Sequence, residues 1–157
     1  MIAAGEKLDV GFKLKLVHGG AVKEMEFRDL LTRRTIVSVY MKNNTPTCDR
    51  QTASLASHAA EFDRAGFNVV ALSRDTCGSH ARYADAKEIH YILASDPDDR
   101  FARAADSVVA KQMYGRAFTG PARAAFVLDR DGTVLAVAEK IDAANHGVQL
   151  RELIKSL

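Results

Sequence analysis

Apolar and polar positions alternate over Phe12-Lys13-Leu14-Lys15-Leu16-Val17, the two-residue period of a strand with one face in water. His18-Gly19-Gly20 supplies the turn chemistry that ends it. The pattern changes at Thr35-Ile36-Val37-Ser38-Val39-Tyr40-Met41 and again at Phe67-Asn68-Val69-Val70-Ala71-Leu72-Ser73. Both runs are nearly continuous in apolar and β-branched residues, as strands covered on both faces are. Between them the period lengthens. Cys48 through Arg64 carries Leu55, Ala59 and Phe62 at i, i+4 and i+7 in an alanine-rich stretch, which predicts a helix. Gly66 follows where a helix C-terminus favours a left-handed residue. A strand-helix-strand segment with so long a connection predicts a parallel, right-handed crossover.

Downstream, Ser79 to Glu88 reads as a helix and Tyr91-Ile92-Leu93 as a short strand. Asp96-Pro97 marks a helix start, with Asp as N-cap and Pro in the first turn, and the helix is expected from Asp98 to Ser107. Ala124–Leu128 and Thr133–Val137 flank Asp129-Arg130-Asp131-Gly132, a hairpin signal with glycine where positive φ is needed. Val148 to Leu157 closes the chain as an amphipathic helix. The order of elements predicts an α/β fold, a mixed central sheet with helices on both faces. Without internal repeat or linker, residues 1–157 are expected to form one domain.

Composition narrows the function. A formal net charge of +2, with Lys and Arg interspersed among Asp and Glu, nominates neither nucleic acid nor an anionic membrane as partner. No stretch reaches the roughly 18 uninterrupted apolar residues that span a bilayer, and the first residues lack the apolar core of a secretory signal, so a cytoplasmic protein is expected. Two cysteines are too few for a disulfide scaffold, leaving them as small buried hydrophobes or as redox-active groups.

Cys48 stands where a buried strand gives way to a helix, after Lys42-Asn43-Asn44-Thr45-Pro46-Thr47. In open α/β sheets reactive groups gather at the carboxyl ends of strands. A cysteine in a helix's first turn faces unpaired N–H groups and the positive end of the dipole, which favour the thiolate. Position alone leaves the core and the reactive readings of Cys48 equally open. The five histidines, His18, His58, His80, His90 and His146, lack metal-binding spacing and are expected at the surface or in caps. His80 is also a candidate to tune Cys77. Asp96, Asp98 and Asp99 are read as a helix start, and Asp129 and Asp131 as turn residues; no metal, nucleotide or other cofactor is expected.

Tyr40-Met41-Lys42-Asn43-Asn44-Thr45-Pro46-Thr47-Cys48 resembles the active-site loop of peroxiredoxins, P-x-x-x-(T/S)-x-x-C, and is most similar to the bacterioferritin-comigratory-protein (PrxQ) branch. The resemblance continues in order through Ser73-Arg74-Asp75, Ser79-His80, Ser95-Asp96-Pro97-Asp98, Met113-Tyr114-Gly115, Arg123, Phe126-Val127-Leu128-Asp129 and Gly132. It implies a thioredoxin-like fold and a thiol peroxidase acting on hydroperoxides. By the same resemblance Cys48 matches the peroxidatic cysteine, Thr45 the hydroxyl that contacts thiolate and peroxide, and Arg123 the arginine that lowers the thiol pKa and polarises the O–O bond. An arginine's fixed charge and planar donors suit that task. The chain departs from the pattern at Met41, where the family has proline.

The resemblance also bears on the second cysteine. Many members of the branch carry a resolving cysteine five residues after the first, a position held here by Ala53. Others carry it near Tyr83-Ala84. Cys77, 29 positions after Cys48 and two helical turns before Ala84, is then a displaced resolving cysteine, with Gly78 easing its movement. The competing reading leaves resolution to an external thiol. The implied reductant is a dithiol protein of thioredoxin or glutaredoxin type, and a monomer or weak homodimer is expected. A second function class is a redox-sensing or interaction module of the same fold without peroxidase turnover, which the Met41 substitution keeps in view.

Overall fold

The computed structural model describes residues 1–113 and 115–157. Among the described residues nine strands and four helices follow one another: β1 (Lys13–His18), β2 (Ala21–Glu26), β3 (Thr35–Val39), α1 (Pro46–Arg64), β4 (Asn68–Ser73), α2 (Cys77–Lys87), β5 (Ile92–Ser95), α3 (Arg100–Ala104), β6 (Val108–Met113), β7 (Arg116–Pro121), β8 (Ala125–Leu128), β9 (Val134–Ala138) and α4 (His146–Lys155), with 3-10 turns at Phe27–Leu30 and Ala143–Asn145. Seven strands form one sheet in the order β2-β1-β5-β4-β3-β8-β9. Its centre, β3-β4-β5, is parallel, and the strands outside it pair antiparallel, so the sheet is mixed as expected.

Period-2 geometry divides the core between the two faces of this sheet. Ile36, Tyr40, Val69 and Ala71 join Cys48, Leu55, Phe62, Tyr83 and Leu150 on the side of α1, α2 and α4. Val37, Val39, Val70 and Leu72 face the opposite side with Phe27, Phe101 and Phe126. Phe101 meets Phe126 edge-on at 5.3 Å between ring centroids and Phe27 at 5.4 Å. Both faces of β3 are therefore closed, which is why its sequence reads as a continuous apolar run.

Three expectations need correction. The helix placed at Asp98–Ser107 is only Arg100–Ala104, because Asp99 lies at φ 53°, outside the helical region. Asp96 still caps it, its carboxylate accepting from the N–H groups of Arg100 at 2.8 Å and Phe101 at 3.0 Å. The helix expected from Ser79 begins at Cys77, with Thr76 as N-cap accepting from Ser79 N at 3.2 Å. The strand β2 and the separate β6–β7 hairpin had no signal in the apolar pattern; four of the six residues of β2 are exposed. The hairpin at Asp129–Gly132 is as expected, with Gly132 at φ +90° and its N–H bonded to Asp129 O at 3.0 Å. Of the Met113-Tyr114-Gly115 motif, Tyr114 lies outside the described residues.

Candidate active site

β3 ends at Val39, and the chain crosses the sheet edge through Tyr40–Asn44 before α1 begins. Thr45 is the N-cap, Pro46 sits in the first turn, where its missing N–H is no loss, and Cys48 follows within that turn. The Thr45 hydroxyl does not cap the helix; its single hydrogen goes to Lys42 O, 2.8 Å away, and is within reach of the Cys48 sulfur when that sulfur ionises. The helix start thus leaves its first N–H groups and dipole directed at the loop that carries Cys48.

Cys48 is almost fully buried. Burial alone would push its thiol up, yet the pKa is lowered, because the Thr45 hydroxyl, backbone groups of Lys42 and Met41, and Arg123 all stabilise the anion. Arg123, two residues before β8, donates from Nη1 to Cys48 Sγ at 3.3 Å and to Gln51 Oε1 at 2.7 Å. It reaches the site because β8 pairs with β3, with Val39 N bonded to Ala124 O at 2.9 Å. A buried sulfur that ionises beside a fixed cation and a hydroxyl is equipped for nucleophilic attack on an electrophilic oxygen.

The strand and helix that follow hold the loop in place. Asn43 donates from its backbone to Asp75 Oδ2 at 3.0 Å, and from its side chain to Ser79 Oγ and His80 Nδ1, both at 3.1 Å. Tyr40 donates to Asn43 Oδ1 at 2.6 Å, and Tyr83 to Asp49 Oδ1 at 2.6 Å. His80 is fully buried, its Nε2 bonded to Ala94 O at 3.0 Å; burial lowers its pKa. The expectation of surface or capping histidines fails for His80 and for His146, which is also fully buried. The side-chain partners of His80 lie on the Cys48 loop, at the end of β4 and on β5; among the described residues none is Cys77.

Cys48, Thr45 and Arg123 are brought together; Cys77 is not bonded to them. It opens α2 at the same sheet edge, since β3 and β4 are parallel neighbours, and both cysteines are free thiols. Burial raises the Cys77 pKa, and the cation of Lys15 on β1 partly opposes this.

The AhpC/TSA family model matches residues 7–137. The chain belongs to this family, as a peroxiredoxin of the PrxQ branch. A Mycobacterium tuberculosis protein described as a peroxiredoxin is 34% identical over 140 residues, covering 89% of this chain and 87% of its own. Peroxiredoxin Bcp of Xanthomonas campestris is 30% identical over 121 residues, covering 77% and 76%. Among solved structures, the X. campestris bacterioferritin comigratory protein, described for its alkyl peroxide reduction activity, superposes with a TM-score of 0.85 at 26% identity over 98% of both chains. This peroxiredoxin therefore has the thioredoxin-like fold and is a thiol peroxidase that uses hydroperoxides and a thiol reductant. Of the side chains behind Arg123, Gln51 and Ser38 were not singled out from the sequence, although a serine inside the apolar run of β3 was a trace of them, and His146 was expected at the surface or in a cap.

Proposed function

We propose that Cys48 is the peroxidatic thiolate, that Thr45 and Arg123 bind and polarise the peroxide, and that Cys77 resolves the oxidised sulfur. The observation that carries this reading is the single Arg123 nitrogen shared between Cys48 Sγ at 3.3 Å and Gln51 Oε1 at 2.7 Å. The thiolate attacks the terminal oxygen of ROOH; the S–O bond forms as the O–O bond breaks, sulfur gives up two electrons, and RO⁻ leaves to take a proton from solvent. Cys48 becomes a sulfenic acid. The Cys77 thiolate then displaces hydroxide, which leaves as water after protonation, and a Cys48–Cys77 disulfide results.

A disulfide needs Cα atoms within about 7 Å, so the first turns of α1 and α2 unwind for this step. Opening also returns the Cys77 thiol toward its ordinary acidity, because burial is what holds it up. A dithiol protein of thioredoxin or glutaredoxin type then reduces the disulfide by exchange, becoming a disulfide itself. Hydrogen peroxide and alkyl hydroperoxides are the substrates, the latter in keeping with the X. campestris relative. The reducing cycle fits a cytoplasmic enzyme. Residues 1–157 act as one catalytic domain, a monomer or weak homodimer; the exposed large apolar residues described include Val108, Val109 and Phe118 on the β6–β7 hairpin.

The test is peroxide consumption by the reduced protein with a thioredoxin system, comparing wild type with Cys48→Ser and Cys77→Ser. Turnover is expected to vanish in Cys48→Ser and to stall after one equivalent in Cys77→Ser. Full turnover in Cys48→Ser would overturn the site, and sustained turnover in Cys77→Ser would move resolution to an external thiol.

A further inference from the structure

Behind Arg123 a file of polar side chains runs inward to the C-terminal helix. Gln51 Nε2 donates to Ser38 Oγ at 3.1 Å and approaches Val39 O at 3.4 Å. Ser38 Oγ lies 2.8 Å from His146 Nε2, and His146 Nδ1 lies 3.3 Å from Gln149 Oε1. Gln149 is fixed by the backbone, its Oε1 accepting from Asp142 N at 3.1 Å and its Nε2 donating to Lys140 O at 2.6 Å. Ser38 and His146 are fully buried, and Gln51 nearly so.

The two ends settle where each proton sits. Gln149 presents an oxygen to His146 Nδ1, so Nδ1 carries the ring hydrogen and Nε2 is left as an acceptor only. The ring is neutral: its pKa is held down to about 4 by burial and by the Arg123 cation, against the pull of Gln149 and Asp142. The Ser38 hydroxyl must then give its hydrogen to Nε2 and keep its oxygen for a donor. Gln51 has to meet that oxygen with its NH₂, which leaves its carbonyl facing Arg123. Without an acceptor at His146 the serine hydrogen could turn toward Gln51 Nε2, donor against donor, leaving Gln51 to be oriented by Val39 O and by Arg123 itself.

We infer that His146 is a positioning residue for peroxide reduction, acting through Ser38 and Gln51 to hold the Arg123 guanidinium on Cys48. The inference rests on the roles proposed above for Cys48 and Arg123. The fold brings the ring into place by a close approach of α4 to α1: Gly147 N donates to Ser54 Oγ at 2.8 Å, and a Cβ on Gly147 would lie 2.7 Å from Ser54 O.

The experiment measures the Cys48 thiolate pKa, by its ultraviolet absorbance in the Cys77→Ser background, and the single-turnover rate with hydrogen peroxide. Variants are His146→Phe, His146→Gln, Ser38→Ala and the double variant Ser38→Ala/His146→Phe. His146→Phe is expected to raise the thiolate pKa by about one pH unit and to slow oxidation about tenfold, the lower end of what outer partners of a reactive centre cost. His146→Gln, which returns an acceptor oxygen near the place of Nε2, restores most of both. In the Ser38→Ala background His146→Phe adds nothing further to the thiolate pKa. If His146→Phe does not fold, Ser38→Ala alone carries the test and is expected to shift the thiolate pKa in the same direction. An unchanged thiolate pKa and rate in the folded variants overturns the inference while Cys48→Ser remains inactive; an active Cys48→Ser overturns the proposed site instead.

Discussion

The ammonium of Lys111, on β6, meets the sulfur of Met41 at 2.8 Å, so the residue standing where the family has proline receives a cation from the β6–β7 hairpin. Among the described residues Lys111 forms no ion pair, and its pKa is lowered, first by burial and then by the cations of Arg123 and Arg74; Asp99 and Cys48 act in the opposite sense. A thioether is a weak acceptor and cannot neutralise the charge. The Cys48 anion is thus one of the groups that balance Lys111, and Lys111 in turn favours the thiolate.

Replacing Lys111 by Met removes that cation. A partly screened charge pair is worth at most about 1 kcal/mol, so the rate with hydrogen peroxide should fall about threefold at pH values where Cys48 is only partly ionised. The loss should shrink toward alkaline pH, where Cys48 is ionised in both proteins. A pH–rate profile of Lys111→Met against wild type checks this; an equal loss at every pH would refute it.

Arg123→Lys keeps the charge and discards the planar fork. A single ammonium on a flexible stem holds sulfur and peroxide oxygen together poorly, and losing a preorganised donor to a developing anion costs about 10²- to 10³-fold. Stopped-flow oxidation of the reduced protein should show a loss of that order, with the fold unchanged by circular dichroism.

The loop that carries Cys48 is latched to the start of α2 by Asn43, through Ser79, His80 and Asp75. Disulfide formation should respond in opposite directions to Asn43→Ala and Gly78→Ala. Removing the latch destabilises the protein by about 1–3 kcal/mol and speeds formation of the Cys48–Cys77 bond after oxidation. Gly78 lies in the first turn of α2 with room for a Cβ, its nearest neighbour Arg82 Nη1 at 3.6 Å. Alanine there adds about 0.5–1 kcal/mol of helix stability and slows the same step. Following the loss of the free Cys77 thiol after one equivalent of peroxide measures both.

His146 also links stability to pH. Its folded pKa, about 4, lies below the unfolded value near 6.5. As pH falls through 6.5 the unfolded chain takes up a proton that the folded ring refuses, so stability is lost between pH 6.5 and 4 and is fully present above that window. The span corresponds to about 3 kcal/mol at its acid end. Urea midpoints of wild type and His146→Gln should therefore converge on acidification from pH 7.5 to 4.5; parallel curves would refute the assignment.

The central strands and the long helix were legible because each carries a local period. Val37 and Val39 alternate with Ile36 and Tyr40 between two closed faces, and α1 repeats Leu55, Ala59 and Phe62. β2 escaped because at the sheet edge most of its side chains are exposed and leave no apolar stripe. Among the described residues β6 and β7 pair with each other, outside the main sheet, and gave no such stripe either. The start of α3 misled because Asp96 caps from a distance, across a residue in left-handed geometry.

The sequence by itself determined the order of the central strands and the helices between them, the place of Cys48 at a helix start and, through its likeness to a known loop, the nomination of Thr45 and Arg123 beside that cysteine. Only the tertiary structure decided that His146 would be buried against Ser38, 108 positions away, that His80 would latch the Cys48 loop, and that Lys111 would come to Met41. The physical reason is one of range. Periodicity is written by backbone geometry over a few residues, whereas a buried polar group is satisfied by whichever partners the folded chain brings within about 3 Å. A histidine destined for the core and one destined for water carry the same letter.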